Sequence, residues 1–338
     1  MFSLAIDGTD QVVAARKEES LLDACLTQGV PLPYNCRSGE CGECLARLVR
    51  GKVRELPGAD PAIFSDEMRR DGMILTCMCY PETDVVVSVP LRATSHPQIQ
   101  HFDAVIERVK WFGERTAQVT MRCPTPISFR SGQYFEWFAP GTSSARSYSA
   151  SNRPGSTQLE FLVRIYPGGR VSSLLQRHEL AAGDIVSLRG PFGSYVFNPD
   201  DPGAAIFVAG GTGLAPVKSI VESALSSETS RKLILFYGTR NMQELGCAEE
   251  LQQWAGQYPQ LQFIPVLSDE PEKSDWPGRR GTVVDIMKNE LGEQFGAQAY
   301  LCGPPPMVDL ATAVLERSGL SRADIYCDKF VPAVSSEA

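Results

Sequence analysis

No apolar run in the 338 residues approaches the roughly 20 that a membrane-crossing helix requires, which excludes a helical membrane span. Histidine is scarce: His96, His101 and His178 are isolated, and none of the ten cysteines has a histidine two positions on. A Rieske centre, built on Cys-x-His pairs, is therefore excluded from this chain, and the three histidines read as surface or linker residues. Positive charge is in deficit, with 32 Lys and Arg against 40 Asp and Glu and a net charge of -8. Nucleic acid and anionic membranes repel such a surface, so neither is expected as a main partner. There are no internal repeats and no low-complexity tracts. The amino terminus enters an alternating apolar pattern without the basic stretch and cleavage site of an export signal, which reads as cytoplasmic.

What is present suits a soluble multi-domain protein of about three modules of roughly 100 residues each. Hydrophobic residues make up 43% and charged residues 21%. Ten cysteines in a chain read as intracellular are expected to be ligands, catalytic groups or packing residues rather than disulfides. Pattern changes divide the chain. Over residues 1–93, short alternating segments precede a helix-like run from Ser20, read as an N-cap, to Gln28; a cysteine-rich loop and the strand-like stretch from Val85 to Val89 follow. Residues 92–100 read as a linker. Over residues 101–200, short β-rich runs punctuated by Gly and Pro predict a small antiparallel barrel. Over residues 204–330, apolar strands starting at Ala205, Lys232, Gln262 and Ala299 alternate with helical stretches and predict an α/β parallel sheet.

Cys36, Cys41 and Cys44, spaced x4 and x2, and Cys77 after 32 further residues have the plant-type [2Fe–2S] ligand spacing. Each iron needs two thiolates, and Gly39 and Gly42 let the loop fold around the sulfides and aim N–H groups at them. A zinc site normally uses two short Cys-x2-4-Cys knuckles, and one pair here fits that. Cys79 competes with Cys77 as fourth ligand, because two residues apart on a strand they share a face. Cys25, Cys123, Cys247 and Cys327 fit no ligand spacing and read as packing residues.

Gly132-Gln133-Tyr134 followed by Arg146-Ser147-Tyr148-Ser149 is similar to the ferredoxin-NADP reductase superfamily, and the likeness implies a flavin at a barrel rim. There the Arg146 fork would pair with a diphosphate, Tyr148 would stack on the isoalloxazine and Ser149 would reach its N5 edge. Downstream, Arg164-Ile165-Tyr166-Pro167-Gly168-Gly169-Arg170-Val171-Ser172-Ser173 runs from a strand through a Gly-rich turn to a helix start, an anion site suited to the flavin diphosphate. Read without a ligand, the same stretch is a capped helix with Ser172 as N-cap.

Gly210-Gly211-Thr212-Gly213 directly follows an apolar strand and opens a helix; it is not the G-x-G-x-x-G fingerprint. A second segment, Leu301-Cys302-Gly303-Pro304-Pro305-Pro306-Met307, also ends a strand and begins a helix. Both lie where open α/β sheets bind ligands. They resemble the nicotinamide half of the same superfamily, which implies that Thr212 and Cys302 border the site of hydride transfer. In the loop after the second strand, Glu244 would bond ribose hydroxyls and repel a 2′-phosphate, whereas Arg240 would bind one. Glu244 and the family likeness favour NADH.

From residue 2 to Phe330 the chain resembles the single-chain reductase components of bacterial ring-hydroxylating oxygenases, with benzoate dioxygenase reductase as the nearest type. The resemblance implies a β-grasp ferredoxin, an antiparallel β-barrel flavin domain and an α/β nucleotide domain. It selects Cys77 over Cys79 as the iron ligand, and ferredoxin-first order favours FAD over FMN. It also implies that NADH is the donor, with electrons passing through FAD and the [2Fe–2S] cluster to a Rieske-type terminal oxygenase component. Phe330 would cover the flavin, although eight residues follow it. Reductases of di-iron monooxygenases and of a CDP-deoxysugar dehydrase share the same chemistry.

Overall fold

The computed structural model describes residues 1–61, 63–89, 98–140, 145–199, 201–227, 229–292 and 296–331. The chain forms two compact units, Met1–Gln98 and Ile99–Ala338. The expected linker residues 92–97, with His96, lie outside the described residues.

In the first unit, the alternation Leu4-in, Ile6-in builds strand Phe2–Ile6, which pairs antiparallel with Val12–Ala15 and parallel with Val85–Ser88. Leu45–Arg50 and Met73–Leu75 complete a mixed five-stranded sheet. Helix Leu21–Thr27 packs Leu21, Leu22, Ala24 and Cys25 inward. Its start is set by Ser20, whose hydroxyl accepts from the Asp23 N–H at 3.0 Å and donates to the Asp23 carboxylate at 2.8 Å, so both ends of the turn are satisfied. The cysteine loop leaves this helix and returns through Leu45–Arg50, while Val53–Glu55 pairs separately with Cys79–Pro81.

The second unit opens with an antiparallel sheet of six strands, ordered Arg146–Ser149, Tyr134–Phe138, Ile185–Phe192, Gln100–Phe112, Thr116–Arg122 and Gln158–Arg164. A bridge between Ala150 and Phe161 joins the two ends, closing the sheet toward the expected barrel. Along Thr116–Arg122 the apolar Ala117, Val119 and Met121 point into the barrel core. The alternate Thr116, Gln118 and Thr120 are buried too, because the rest of this unit covers the barrel's outer face there.

The remaining sheet is parallel throughout, ordered Arg279–Arg280, Leu261–Leu267, Leu233–Thr239, Ala205–Gly210, Gln298–Gly303 and Ile325–Lys329. Its central strands are almost continuously apolar because helices cover both faces. Two edge strands escape the sequence reading. Arg279–Arg280 is too short and charged to show a pattern, and Ile325–Lys329 carries Asp328 and Lys329 at buried positions. The Lys329 ammonium reaches Asp309 at 2.9 Å, which makes that burial tolerable.

Candidate functional site

The four expected iron ligands come together as two sulfur pairs. Cys44 Sγ lies 3.2 Å from Cys77 Sγ, and the Cys36 N–H points at Cys41 Sγ at 3.5 Å. The loop aims further N–H groups at Cys36 Sγ, from Ser38 at 3.4 Å and Glu40 at 3.3 Å. Left-handed backbone at Gly39 (φ 80°) and Gly42 (φ 75°) makes this folding possible, and the Arg37–Asp23 ion pair ties the loop to the capped helix. Hydrogen bonding from the Cys41 thiol, helped by Ser38 and the Glu40 N–H, outweighs burial and lowers the Cys36 thiol to about 5. The Cys77 thiol lowers Cys44 in the same way. Among the described residues no three His, Cys, Asp or Glu converge on a single-ion site. Two pairs suit two irons with two thiolates each, not one tetrahedral zinc. Cys79 stands apart: it is buried in the ribbon opposite Glu55, and burial pushes its thiol up to about 12. Cys25 and Cys123 are buried, as packing residues should be, whereas Cys247 and Cys327 are half-buried.

At the barrel edge, strand alternation places Arg146 and Tyr148 on one side and Ser147 and Ser149 on the other. The Tyr148 ring rests 4.5 Å from that of Trp137, and burial raises its phenol, which stays neutral. The buried Trp137 Nε1 has no hydrogen-bond partner among the described residues, and Ser149 is buried opposite Tyr134. Gly168 (φ 71°) has open space where a side chain would point. An edge strand with an arginine, a ring and a buried hydroxyl, beside an open glycine turn, fits a flavin nucleotide.

The turn after Arg164 differs from expectation. Val171, not Ser172, occupies the cap position of helix Ser172–Gln176, without a side-chain cap bond. The Ser172 hydroxyl instead accepts the Tyr166 N–H at 3.3 Å, and Gly169 is required because a Cβ there would overlap Ser172 Oγ. Five residues make a weak dipole, so this start contributes little charge. Arg164 and Glu244, read as a flavin residue and a nucleotide residue, meet each other: Arg164 Nη1 is 3.2 Å from Glu244 and 3.3 Å from Thr116 Oγ1. The Glu244 carboxylate thus has a protein partner where ribose hydroxyls were expected. Glu270 is the acid that accepts from the same loop, bonding the Met242 N–H at 2.9 Å.

Thr212 sits half-buried in the turn Gly211–Gly213, between strand Ala205–Gly210 and helix Leu214–Ser226. Because Ala205–Gly210 lies between Leu233–Thr239 and Gln298–Gly303, both glycine motifs fall at the topological switch point of the sheet. Their glycines let the motifs interlock. A Cβ on Gly213 would overlap the Cys302 carbonyl, and one on Gly303 (φ 148°) would come within 3.1 Å of Gly210 backbone and 2.9 Å of Met307 Cε. A Cβ on Gly210 would approach Pro304 Cδ at 3.0 Å. Gly211 (φ 55°) has open space, the cradle a phosphate-bearing ligand needs. Cys302 is fully buried, 4.0 Å from the Asp328 carboxylate; burial first and Asp328 second hold its thiol protonated. Phe330 is half-buried against the same core, and its N–H bonds Gly303 O at 2.9 Å.

Sequence reasoning misses Tyr195, Asp328 and Lys218. The Tyr195 hydroxyl is buried without a partner among the described residues, in the field of Cys302 and Asp328. Nothing local marks it. Lys218 does carry a signal, a lysine inside the run Leu214-Ala215-Pro216-Val217-Lys218-Ser219-Ile220-Val221, and it is 2% exposed.

Three family models match this order of modules: a 2Fe-2S iron-sulfur cluster binding domain over residues 4–82, an oxidoreductase FAD-binding domain over 104–197 and an oxidoreductase NAD-binding domain over 207–313. The reductase component of phenol 2-monooxygenase from Pseudomonas sp. (strain CF600) is 31% identical, with 98% of this chain and 95% of that protein aligned. The ferredoxin–NAD(P)(+) reductase component of the naphthalene 1,2-dioxygenase system of Pseudomonas putida is 31% identical over 97% of this chain and 98% of that one. The crystal structure of the Amycolatopsis reductase GcoB superposes with a TM-score of 0.85 at 32% identity, covering 98% and 99% of the two chains.

The chain belongs to the family of ferredoxin-fused flavin reductases. As a member it is an oxidoreductase that uses a [2Fe–2S] cluster, FAD and a nicotinamide nucleotide, and its relatives serve as reductase components of oxygenases. Among the described residues no helix is long and apolar enough to cross a membrane.

Proposed function

We propose that this reductase serves in the cytoplasm as the NADH-dependent component of an aromatic ring-hydroxylating dioxygenase, passing electrons from NADH to FAD, to its [2Fe–2S] cluster and on to a Rieske-type oxygenase. Its modules span residues 1–93, 101–200 and 204–330. The observation that carries the reading is the switch point: the Thr212 turn and the Cys302 strand end interlock through glycine in the same compact unit as the Arg146–Ser149 edge. When bound, flavin converts a hydride, which carries an electron pair, into single electrons that an iron pair can accept.

The chain's own residues do the positioning. The Arg146 fork would neutralise the flavin diphosphate, with the open space at Gly168 and the closely packed Gly169 beside it and the residues through Val171 and Ser172 closing the site. Tyr148 would offer its ring to the isoalloxazine, and the Ser149 hydroxyl would bond its N5 edge. Thr212 and Cys302 border the nicotinamide, with Gly211, Gly213, Gly303, Pro304 and Met307 shaping the cradle and Phe330 closing its flavin side. A protonated Cys302 puts no anion beside the transferring hydride. For donor choice, Glu270 holds the loop after Leu233–Thr239 through the Met242 N–H and its charge repels a 2′-phosphate, whereas Glu244 is engaged by Arg164.

A second reading, the reductase of a di-iron monooxygenase, has equal support from the relatives, since the phenol 2-monooxygenase and naphthalene 1,2-dioxygenase components are each 31% identical. Reconstitution with FAD, iron and sulfide, followed by anaerobic NADH titration, should bleach flavin and iron–sulfur bands together. Faster electron delivery to a Rieske oxygenase than to a di-iron hydroxylase supports the first reading, and the reverse order supports the second. A protein that binds neither flavin nor iron defeats both.

A further inference from the structure

Helix Leu214–Ser226 starts at the Thr212 turn and buries ten of its residues, one of which is a lysine. The Lys218 ammonium reaches three elements at once: the carbonyl of Ser151 at 3.3 Å, the barrel residue Glu160 at 3.6 Å and Glu250 of helix Ala248–Gln257 at 3.2 Å. The Trp254 ring lies 5.2 Å away. Glu160 is itself anchored, accepting from Gln118 Nε2 at 3.1 Å while its backbone N–H bonds Asn152 Oδ1 at 2.8 Å.

Around the lysine the same helix is stitched to residues 152–153 and to the loop at Ser131. Ser219 Oγ donates to Asn152 O at 2.6 Å, the Arg153 N–H donates to Glu222 at 2.9 Å, and Ser131 Oγ meets Ser223 Oγ at 2.5 Å. Residues 151–153 directly continue the Arg146–Ser149 strand. One short path therefore runs from Tyr148 and Ser149 through Ser151 to Lys218 and back along one helical stretch to Thr212.

Burying an ammonium costs several kcal/mol before pairing, and well-packed apolar residues often replace such clusters without loss of stability. Stability alone is a poor reason for this lysine. One hydrogen bond, to Ser151 O, and two ion pairs, to Glu160 and Glu250, in contrast tie the helix to three separate elements and set a distance that apolar packing sets only loosely. We infer that Lys218 is a positioning residue for hydride transfer, the charged pin that holds the Thr212 turn in register with the Tyr148–Ser149 edge.

The inference rests on the flavin and nicotinamide assignments above, and its test separates the two. In full-length holoprotein, stopped-flow reduction of flavin by NADH is compared among wild type, Lys218→Met, Lys218→Arg and Glu250→Gln. For Lys218→Met the limiting rate should fall by about 100-fold, the scale of a displacement near 1 Å, while NADH affinity and FAD content stay within about twofold. Lys218→Arg should recover part of the loss, and Glu250→Gln, whose side chain is 41% exposed, should fall in the same direction by a smaller factor. Hydrogen exchange in Lys218→Met should rise over residues 150–153 and 211–219 and stay unchanged over Leu261–Leu267. Wild-type rates in both Lys218→Met and Glu250→Gln, or a fall that only tracks lost FAD or NADH binding, would overturn the inference. If Lys218→Met does not fold, Glu250→Gln decides alone. A wild type that NADH cannot reduce defeats the functional assignment instead.

Discussion

The cluster loop and the sheet switch point solve the same problem, holding a redox group at a defined place, by opposite means. In the loop, residues 36–44 carry three of the four proposed ligands in one short stretch, and glycines with left-handed backbone bend it. At the switch point, Thr212 and Cys302 are ninety residues apart in sequence and meet because parallel strands Ala205–Gly210 and Gln298–Gly303 pair side by side. Glycine serves each differently. Gly39 and Gly42 are needed for their left-handed dihedral angles as well as for space, a Cβ there coming to 3.0 Å from Ala59 Cα and 2.9 Å from Ile63 Cγ2, whereas Gly213 has an ordinary helical φ of -60° and is needed for space alone. A local device tolerates change elsewhere, and an interlock does not.

The largest test of that contrast removes a ligand. Cys41→Ala should abolish the iron–sulfur bands and drop NADH-driven reduction of a one-electron protein acceptor to background, while flavin reduction by NADH keeps its wild-type rate. If flavin reduction fails as well, the two sites are not separable in the way described. Next, Gly213→Ala should cost about 3 kcal/mol in denaturant unfolding of the second unit, because Cys302 backbone must shift to admit the methyl group. An unchanged midpoint would show that the interlock yields.

Smaller effects sharpen the picture. Glu270→Gln should lower the NADH over NADPH preference in kcat/KM by about tenfold, equivalent to about 1.4 kcal/mol. Glu244→Gln, which breaks a largely buried pair with Arg164, should instead show mainly as about 1 kcal/mol of lost stability. Reversal of those two outcomes would return the donor-selecting role to Glu244. Smallest of all, Cys79→Ala should keep the full iron–sulfur spectrum and lose about 1 kcal/mol from a trimmed core position.

Much of the molecule is legible in its residue pattern. The two-residue period of Phe2–Ile6 and Tyr134–Phe138, the Ser20 cap, and the apolar strands from Ala205, Lys232, Gln262 and Ala299 all appear where the pattern places them, to within a residue or two at the ends. Periodicity leaves Cys77 and Cys79 equivalent; the 3.2 Å approach of Cys77 to Cys44 does not. The N-cap expected at Ser172 fails because the Tyr166 turn claims its hydroxyl, a competition invisible in a local cap motif. The edge strand Ile325–Lys329 is missed because its charged residues are buried against partners elsewhere in the chain.

The sequence alone determined the closely spaced Cys36, Cys41 and Cys44 of the loop, the order of three modules and the presence of two glycine-rich strand ends, because spacing and periodicity act over a few residues of covalent chain. Tertiary structure alone decided which of those features meet: Glu244 with Arg164, Gly213 with Cys302, and Lys218 with Glu160 and Glu250. Such meetings depend on how strands are ordered and helices are laid across them, and no local pattern encodes that order.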